Sequence, residues 1–482
     1  MDYSSKIFIS FATMKPQFLI AAPHSGAGKT TVTLGILRAL RNRGLAVQPF
    51  KCGPDYLDPK LHTIASGKQS INLDRFMMDD KHLEELYTRY GNNADVLVTE
   101  GVMGLYDGSV KMEGSSADLA GLLQIPVIMV INAKAMAYSA AALLLGFKML
   151  CPDVQIAGVI FNFVEHESHY KLLKEAAEDV GITSLGFLPA NADIQIPSRH
   201  LGLKTGGDID LETIIEQAAG HIQQYIDLDA LMQITLKPLN TATPSPLPDN
   251  SKPGKASLYN SNTAEGADHF TAIPSDRIKK ILIANDEAFN FTYAENIAAL
   301  SSIGEIAYFS PLKDTILPAA DLIYLPGGYP ELHLPALAAN ETLRNQLYNY
   351  HQHGGKILAE CGGMMYLGNY IVDEDGTAYP MTGILDIATG MQLKKLSIGY
   401  KKVQIGQMEL RGHEFHYSHF IEGSLTSSQQ PDQEIRIWNA RNELLERPFF
   451  KTHSILASYF HFYFGHKIDM IENLLLADKT LT

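Results

Sequence analysis

Cysteine is scarce in this chain of 482 residues: there are three, Cys52, Cys151 and Cys361. An odd number without paired spacing excludes a disulfide framework and a zinc ribbon, and points to a reducing, cytoplasmic setting. Basic charge is in deficit. Lysine and arginine number 39 against 53 aspartates and glutamates, a balance of −14, so the long-range field repels nucleic acid and anionic membranes. Long apolar runs are missing: Ile125–Ile131 falls well short of the roughly 20 residues that a membrane helix needs. Met1–Lys15 lacks the charged start, apolar stretch and cleavage site of a signal peptide, and no repeat relates the two halves of the chain.

What is present suits a soluble globular enzyme or ATPase. The chain is 46% hydrophobic and 19% charged, enough apolar material for packed cores, and its length predicts about three domains or two large ones. From Gln17, short apolar runs (Phe18–Ala22, Ala46–Phe50, Val96–Thr99, Val127–Ile131, Ile156–Phe161, Ser184–Leu188) alternate with helical stretches (Thr30–Arg43, Lys81–Tyr90, Ala137–Leu150, His169–Val180, Leu211–Ile226). That alternation predicts a parallel sheet with crossover helices, an α/β domain over residues 15–236. Met1–Thr13 carries no motif, and a chain begun at Met14 is expected to fold and act alike. Residues 237–277 turn rich in Pro, Ser, Thr, Asn and Gly and are expected to be a flexible linker. A second α/β domain is expected over 278–475, with strands at Lys280–Ala284, Glu305–Phe309, Leu322–Leu325 and Lys356–Ala359. Beyond Gly383 the pattern becomes more purely β, through Lys402–Ile405, Gly412–Tyr417, Glu434–Trp438 and Ser454–Phe464.

The segment FLIAAPHSGAGKTTVTLGILRAL reads as strand, glycine-containing turn and helix. Gly26, Gly28 and Thr31 belong to a loop whose N–H groups can wrap a β-phosphate; Lys29 adds a point charge for the β- and γ-phosphates, and the Thr30 hydroxyl can ligate Mg²⁺. Pro23 stands where the usual phosphate-loop pattern has its first glycine. Further magnesium ligands are sought at strand ends on the same edge. Asp55 in FKCGPDYLDP and Glu100 in VLVTEGVMGLYDG qualify, Glu100 being the first charge after a buried run; Asp107, in the same loop, reads equally well as a turn aspartate.

In the second half, GGKILAECGGMMYLG reads as a strand, a sharp turn at Cys361 and a helix. A nucleophile at such an elbow is pushed out of the sheet; the helix N-terminus is expected to lower its pKa, and the following N–H groups can hold an oxyanion. His461, in ASYFHFYF, is the chosen base among 17 histidines, although a core histidine is an equal reading of that residue. Gly327 and Gly328, in LPGGYPE, offer an oxyanion nest. In RGHEFHYS, His413 and His416 fall on opposite faces of a strand, which argues against a metal site.

The ordered set PHSGAGKTT, FKCGPDYLDPKLH, NLDRFM, TEGVMGLYDG, SSADLA, LPGGYPELH, ILAECGGMMYL, RGHEFHYS and SYFHFYF resembles the cobyrinic acid a,c-diamide synthase family over nearly the whole chain. The resemblance implies a dethiobiotin-synthetase-like phosphate-loop domain followed by a class I type glutamine amidotransferase domain. It further implies that Cys361 attacks the glutamine amide, helped by His461, to release ammonia. In the other domain MgATP would phosphorylate an acetate carboxylate of a corrinoid or related tetrapyrrole, from which ammonia displaces phosphate. ATP is then a co-substrate held by Gly26, Gly28, Lys29, Thr30 and Thr31, Mg²⁺ lies at Thr30, Asp55 and Glu100, and Tyr56 and Asp107 join the substrate site. Lys51, Lys60, His62, Arg75 and Lys111 are candidates for a cationic surface facing the polycarboxylate. No nucleic acid or membrane partner is implied, and a homodimer is left open.

One position departs from class I amidotransferases: Tyr463 stands where many carry glutamate two residues after the histidine, so another group must orient His461. Cobyric acid synthase and nickel-sirohydrochlorin a,c-diamide synthase remain alternatives within the same architecture. A phosphate-loop ATPase switch of the partition type is the alternative of another class; it would carry lysine where His24 stands and would not need Cys361 at an elbow. If residues 237–277 are an exposed tether, brief proteolysis will cut there first and leave fragments of roughly 26 and 23 kDa. Cuts elsewhere first, read by mass spectrometry, would place the boundary wrongly.

Overall fold

The apolar runs of the first half become one sheet because each is buried on both faces between crossover helices. The computed structural model describes residues 13–196, 210–239, 279–393, 395–423 and 435–476, and these fall into two compact units. In the first unit the strands lie in the order Ile71–Leu73, Val47–Cys52, Val96–Glu100, Met14–Ala21, Val127–Asn132, Ile156–Asn162 and Thr183–Leu188, all parallel. The first strand stands between elements that wind off in both directions, and such a switch point opens a crevice at the carboxyl ends of the strands. Register brings three of those ends level: Ile20 and Lys51 both pair with Glu100.

The predicted helices appear with ends that coincide or shift by up to three residues. Three short ones, Asp58–Ser66, Ser116–Leu123 and Leu228–Ile234, were not predicted, because seven to nine residues are too few to establish a helical period. The capping signal of the second was nevertheless in the sequence: the Ser115 hydroxyl accepts the Asp118 N–H.

The start of the expected linker needs correction. Lys237 and Pro238 belong to the strand Leu236–Pro238, which pairs antiparallel with Met14–Pro16, and Leu239 is buried. Antiparallel pairing is made by backbone groups, so a three-residue Leu-Lys-Pro strand leaves little trace in composition. The rest of the expected linker, 240–277, and the segment 1–12 lie outside the described residues.

The second unit holds a parallel sheet in the order Glu305–Phe309, Lys280–Ala284, Leu322–Leu325, Lys356–Glu360 and Ile455–Ser458, with Phe449–Lys451 added antiparallel at the edge. Alternation divides its side chains between two cores. Leu282, Ile323, Ile357 and Ile455 pack with Leu343, Leu347 and Met364 from helices on one side. Ile283, Tyr324, Leu358 and Leu456 pack on the other with Val403, Leu410, Ile437 and Phe462. Those last four come from an antiparallel sheet ordered Leu444–Leu445, Ile435–Asn439, Ser397–Ile405, Met408–His416 and His461–Tyr463.

The single strand expected over Ser454–Phe464 is two strands in two sheets. The Ser458 hydroxyl accepts the Phe460 N–H (3.1 Å) and the Ser458 carbonyl accepts the Cys361 N–H (2.7 Å), so the chain turns out of the parallel sheet after Ser458 and enters the antiparallel one at His461. An unbroken apolar and aromatic run cannot reveal such a switch.

The corrected boundary is testable. Leu239→Ala removes a buried side chain that lies against Gly91 and should destabilise the first unit by about 2–5 kcal/mol in chemical denaturation. A residue on a solvated tether would give no change.

Candidate active site

The helix Lys29–Asn42 starts on Gly28, whose φ of 95° is left-handed. Glycine takes that conformation without strain, and a methyl group there would come within 2.2 Å of the Asn162 amide nitrogen. Gly26, with φ 84°, is exposed and open, Thr31 is half-buried in the first helical turn, and Lys29 lays its ammonium on the Met103 carbonyl. The Thr30 hydroxyl donates to Glu100 Oε1 at 2.8 Å.

Glu100 is fully buried. Its Oε1 also accepts from Lys51 Nζ (2.9 Å), and its Oε2 lies 2.6 Å from His62 Nε2. Lys51 donates in turn to Asp58 Oδ2 (2.6 Å). Burial alone would push the Glu100 carboxyl up; Lys51, then His62, outweigh it and hold the group well below the usual carboxylate range. Asp58 and Glu100 likewise raise Lys51 against the effect of burial. Local structure explains how these groups meet. Asp55 Oδ1 accepts the N–H groups of Leu57 and Asp58 (2.8 and 3.1 Å) and so begins the helix Asp58–Ser66. Asp58 and His62, four residues apart, then share one face of it. Tyr56 is buried beside them, while Asp107 is exposed and accepts the Gly104 N–H (3.0 Å), the work of a turn aspartate.

The expected cationic surface is corrected here. Lys51 and His62 are 2% and 0% exposed and face carboxylates inside the unit. Arg75 is ion-paired with Asp80 and Asp118, and burial pushes Lys60 down to about 8; Lys111 alone of the five is exposed. Magnesium fits the oxygens that do converge. It takes one or two protein oxygens together with phosphates, and Thr30 with the ionised Glu100 presents such a pair. Among the described residues, no cluster of three or more His, Cys, Asp or Glu side chains could form an all-protein cage.

In the second unit Cys361 sits between the strand Lys356–Glu360 and the helix Gly362–Leu367 with φ 47° and ψ −108°. A non-glycine residue there costs on the order of 1–3 kcal/mol, a strain that clusters at functional sites. A methyl group on Gly362 would lie 3.3 Å from the Gly328 nitrogen, and one on Gly327 would lie 2.2 Å from His461 Cε1. The Gly327–Gly328 loop therefore touches both the elbow and the imidazole, and only residues without a side chain allow that approach. His461 is buried and stacked on His413, centroids 4.9 Å apart and 16° from parallel.

Burial pushes the His461 imidazole well down, reinforced by His413 and opposed by Glu414, which favours the neutral ring. Burial also pushes the Cys361 thiol up, and Glu331 adds to it; the Gly362 N–H opposes more weakly. This corrects the expectation of a thiol lowered by its helix, which has only six residues and lies in a buried site. Tyr463 packs its ring 5.8 Å from that of Tyr293. His413 faces Tyr293 and His461, whereas His416 faces Glu414 (2.8 Å) and Tyr459, so the two histidines do diverge as their spacing predicts. Glu414 is held down at about 2 by His416 and Lys401 against the cost of burial.

Sequence reasoning passed over Asp58 and the roles of Lys51 and His62 as buried partners of Glu100. It also passed over Glu360, whose signal, a lone charge ending an apolar strand, is the one that singled out Glu100.

Residues 18–203 match the CobQ/CobB/MinD/ParA nucleotide binding domain family, and residues 280–468 match the CobB/CobQ-like glutamine amidotransferase domain family. The chain is 38% identical over 459 residues to a hydrogenobyrinate a,c-diamide synthase of Brucella abortus, covering 92% of this chain and 97% of the relative. It is 38% identical over 483 residues to a cobyrinate a,c-diamide synthase of Dehalococcoides mccartyi (96% and 98% covered). It is 39% identical over 479 residues to one of Salmonella typhimurium (96% and 98%). No described helix is long and apolar enough to cross a membrane.

The buried ion network yields a prediction with a definite sign. Because the folded pKa of Glu100 is depressed, its contribution to stability is present above the unfolded value of about 4.5 and is lost as pH falls toward the depressed one. Glu100→Gln should cost about 3–5 kcal/mol at neutral pH and weaken the acid dependence of unfolding. Equal stability of variant and parent at pH 7 would mean that the charges are not coupled.

Proposed function

The chain belongs to the family of cobyrinate and hydrogenobyrinate a,c-diamide synthases, and on that premise we propose that it amidates the a and c acetate carboxylates of such a corrinoid, using ATP and glutamine. The observation that carries this reading is the strained Cys361 elbow, with the Gly327–Gly328 loop packed between it and His461. It is a glutamine-hydrolysing carbon–nitrogen ligase, and we place it in the cytoplasm, where its thiols stay reduced.

In the amidotransferase unit the neutral His461 takes the Cys361 proton as sulfur attacks the glutamine side-chain carbonyl. Gly328 and Gly362 N–H groups receive the developing oxyanion. The proton passes to the leaving nitrogen, ammonia departs, and water hydrolyses the thioester to glutamate. Holding the thiol uncharged until glutamine arrives suits a site where a bare thiolate would be buried without a counter-charge.

In the nucleotide unit a carboxylate is inert to ammonia until it acquires a leaving group. The loop from Gly26 to Thr31 wraps the ATP phosphates, Lys29 leaves the Met103 carbonyl for the γ-phosphate, and the substrate carboxylate takes up the phosphoryl group. Magnesium, held by Thr30 and Glu100 with Asp55 close by, would supply charge neutralisation on the phosphates. Lys51 and His62 keep Glu100 ionised and oriented for that role. Ammonia then displaces phosphate from the acyl phosphate.

The test is amidation of cobyrinate and hydrogenobyrinate by the parent enzyme and Cys361→Ala, with glutamine or with ammonium as nitrogen source. Cys361→Ala should lose glutamine-dependent amidation and keep the ammonium-dependent rate. Failure of the parent to amidate either corrinoid, or loss of both rates in a folded variant, would sink the reading.

A further inference from the structure

The strand His461–Tyr463 lies at the edge of its antiparallel sheet. One side pairs with Met408–His416 in the register Arg411 to Tyr463, Gly412 to Phe462 and His413 to His461. Its other side meets two buried side chains in place of a further strand. Glu360 Oε1 accepts the Phe462 N–H (2.9 Å), while Asn296 donates to the Phe462 carbonyl (2.7 Å) and accepts the Phe464 N–H (2.9 Å). Glu360 and Asn296 are 1% and 0% exposed. A buried strand edge must find partners for its backbone groups, and side chains that supply them also fix where the edge lies.

Glu360 is not a neutral choice for that task. It directly precedes Cys361, and Phe462 directly follows His461, so one hydrogen bond joins the backbone beside the nucleophile to the backbone beside its base. The second carboxyl oxygen contacts the Tyr324 hydroxyl (2.7 Å), from the neighbouring parallel strand, which fixes the orientation of the carboxyl plane. Burial holds the group up to about 8. Both carboxyl oxygens act as acceptors, Oε1 from the Phe462 N–H and Oε2 from the Tyr324 hydroxyl. That pattern bears on the tyrosine at 463: the base is oriented through its backbone and through stacking on His413.

We propose that Glu360 is a positioning residue for glutamine hydrolysis, its carboxyl group clamping the strand that carries His461 to the elbow that carries Cys361. The proposal rests on the assignment of Cys361 and His461 to that step. Glu360→Ala opens the clamp; Glu360→Gln keeps it, because the amide oxygen accepts from Phe462 and the amide nitrogen donates to Tyr324.

Full-length variants are assayed for glutamine hydrolysis and for ammonium-dependent amidation. Glu360→Ala should lower kcat for glutamine about 10- to 100-fold, the scale of a small misplacement of reacting groups. Glutamine KM should stay within about threefold and the ammonium-dependent rate near that of the parent, with Glu360→Gln restoring kcat to within about threefold. The inference is overturned if Gln is as impaired as Ala, if Ala leaves kcat within about twofold, or if the ammonium-dependent rate falls in parallel. Should Glu360→Ala not fold, Tyr324→Phe carries the test, since it frees one side of the carboxyl and keeps the ring; a lowered kcat supports the clamp and an unchanged one refutes it. Cys361→Ala separates the two levels: glutamine-dependent activity surviving in it refutes the underlying reading, whereas its loss there beside parental kcat in Glu360→Ala refutes the clamp alone.

Discussion

A carboxyl group at the buried end of a central parallel strand must be either paired or neutral, since an isolated charge in that setting costs far more than any single contact returns. Both units of this chain are organised around that constraint. Glu100 ends the strand Val96–Glu100, and Glu360 ends the strand Lys356–Glu360; each is buried, and each is followed at once by the loop or turn that carries chemistry. At Glu100 the Lys51 ammonium and the His62 ring hold the ionised form, as the proposed ligand role for phosphate chemistry requires. At Glu360 the donors are the neutral Phe462 N–H and Tyr324 hydroxyl, burial pushes the carboxyl up to about 8, and the group serves in the proposed clamp as a structural link. The same residue type at equivalent ends of two sheets thus serves opposite purposes, and its neighbours decide which.

The neighbours have to arrive from distant parts of the chain. Lys51 comes from the adjacent strand at the register position facing Glu100, and His62 and Asp58 come from a helix begun by Asp55. A loop motif that reads as a ligand set therefore also builds the helix that charges the site. In the second unit the chain leaves one sheet after Ser458 and enters another at His461, which brings a residue of the antiparallel sheet to the elbow of the parallel one. Neither arrangement is local, so each ties catalytic geometry to the folding of a whole unit.

Much of this was legible in the sequence. Apolar runs of four to eight residues with glycine-rich turns revealed the strands, the phosphate loop and the elbow at Cys361, because those features rest on local periodicity and on backbone demands that only certain residues meet. Glu100 was visible as the first charge after a buried run. Glu360 obeys the same rule and was overshadowed by the cysteine beside it. The burial of Lys51 and His62 was not legible: a lysine at a strand end and a histidine on a short helix look like surface groups until register and helix phase bring them against carboxylates. The split of Ser454–Phe464 was hidden because apolar and aromatic residues suit either sheet. The Leu-Lys-Pro strand Leu236–Pro238 was hidden because its pairing is a backbone matter.

The two chemistries place opposite demands on charge, and the chain meets them by different means. Phosphoryl transfer needs fixed charges to complement the phosphates, and the nucleotide unit holds Lys51, Asp58 and Glu100 in one buried network. Amide hydrolysis by a thiol needs charge to appear only during reaction. With Tyr463 in place of a carboxylate two residues after His461, burial pushes the His461 ring down and the Cys361 thiol up, which favours the uncharged form of both at rest. A neutral pair gives up its proton only when an electrophile receives the sulfur, so the thiol is protected from adventitious oxidants, which attack the thiolate. The requirement then shifts from electrostatics to geometry: the position of the imidazole is built into the backbone, through the Phe462 N–H held by Glu360, and into the ring of His413.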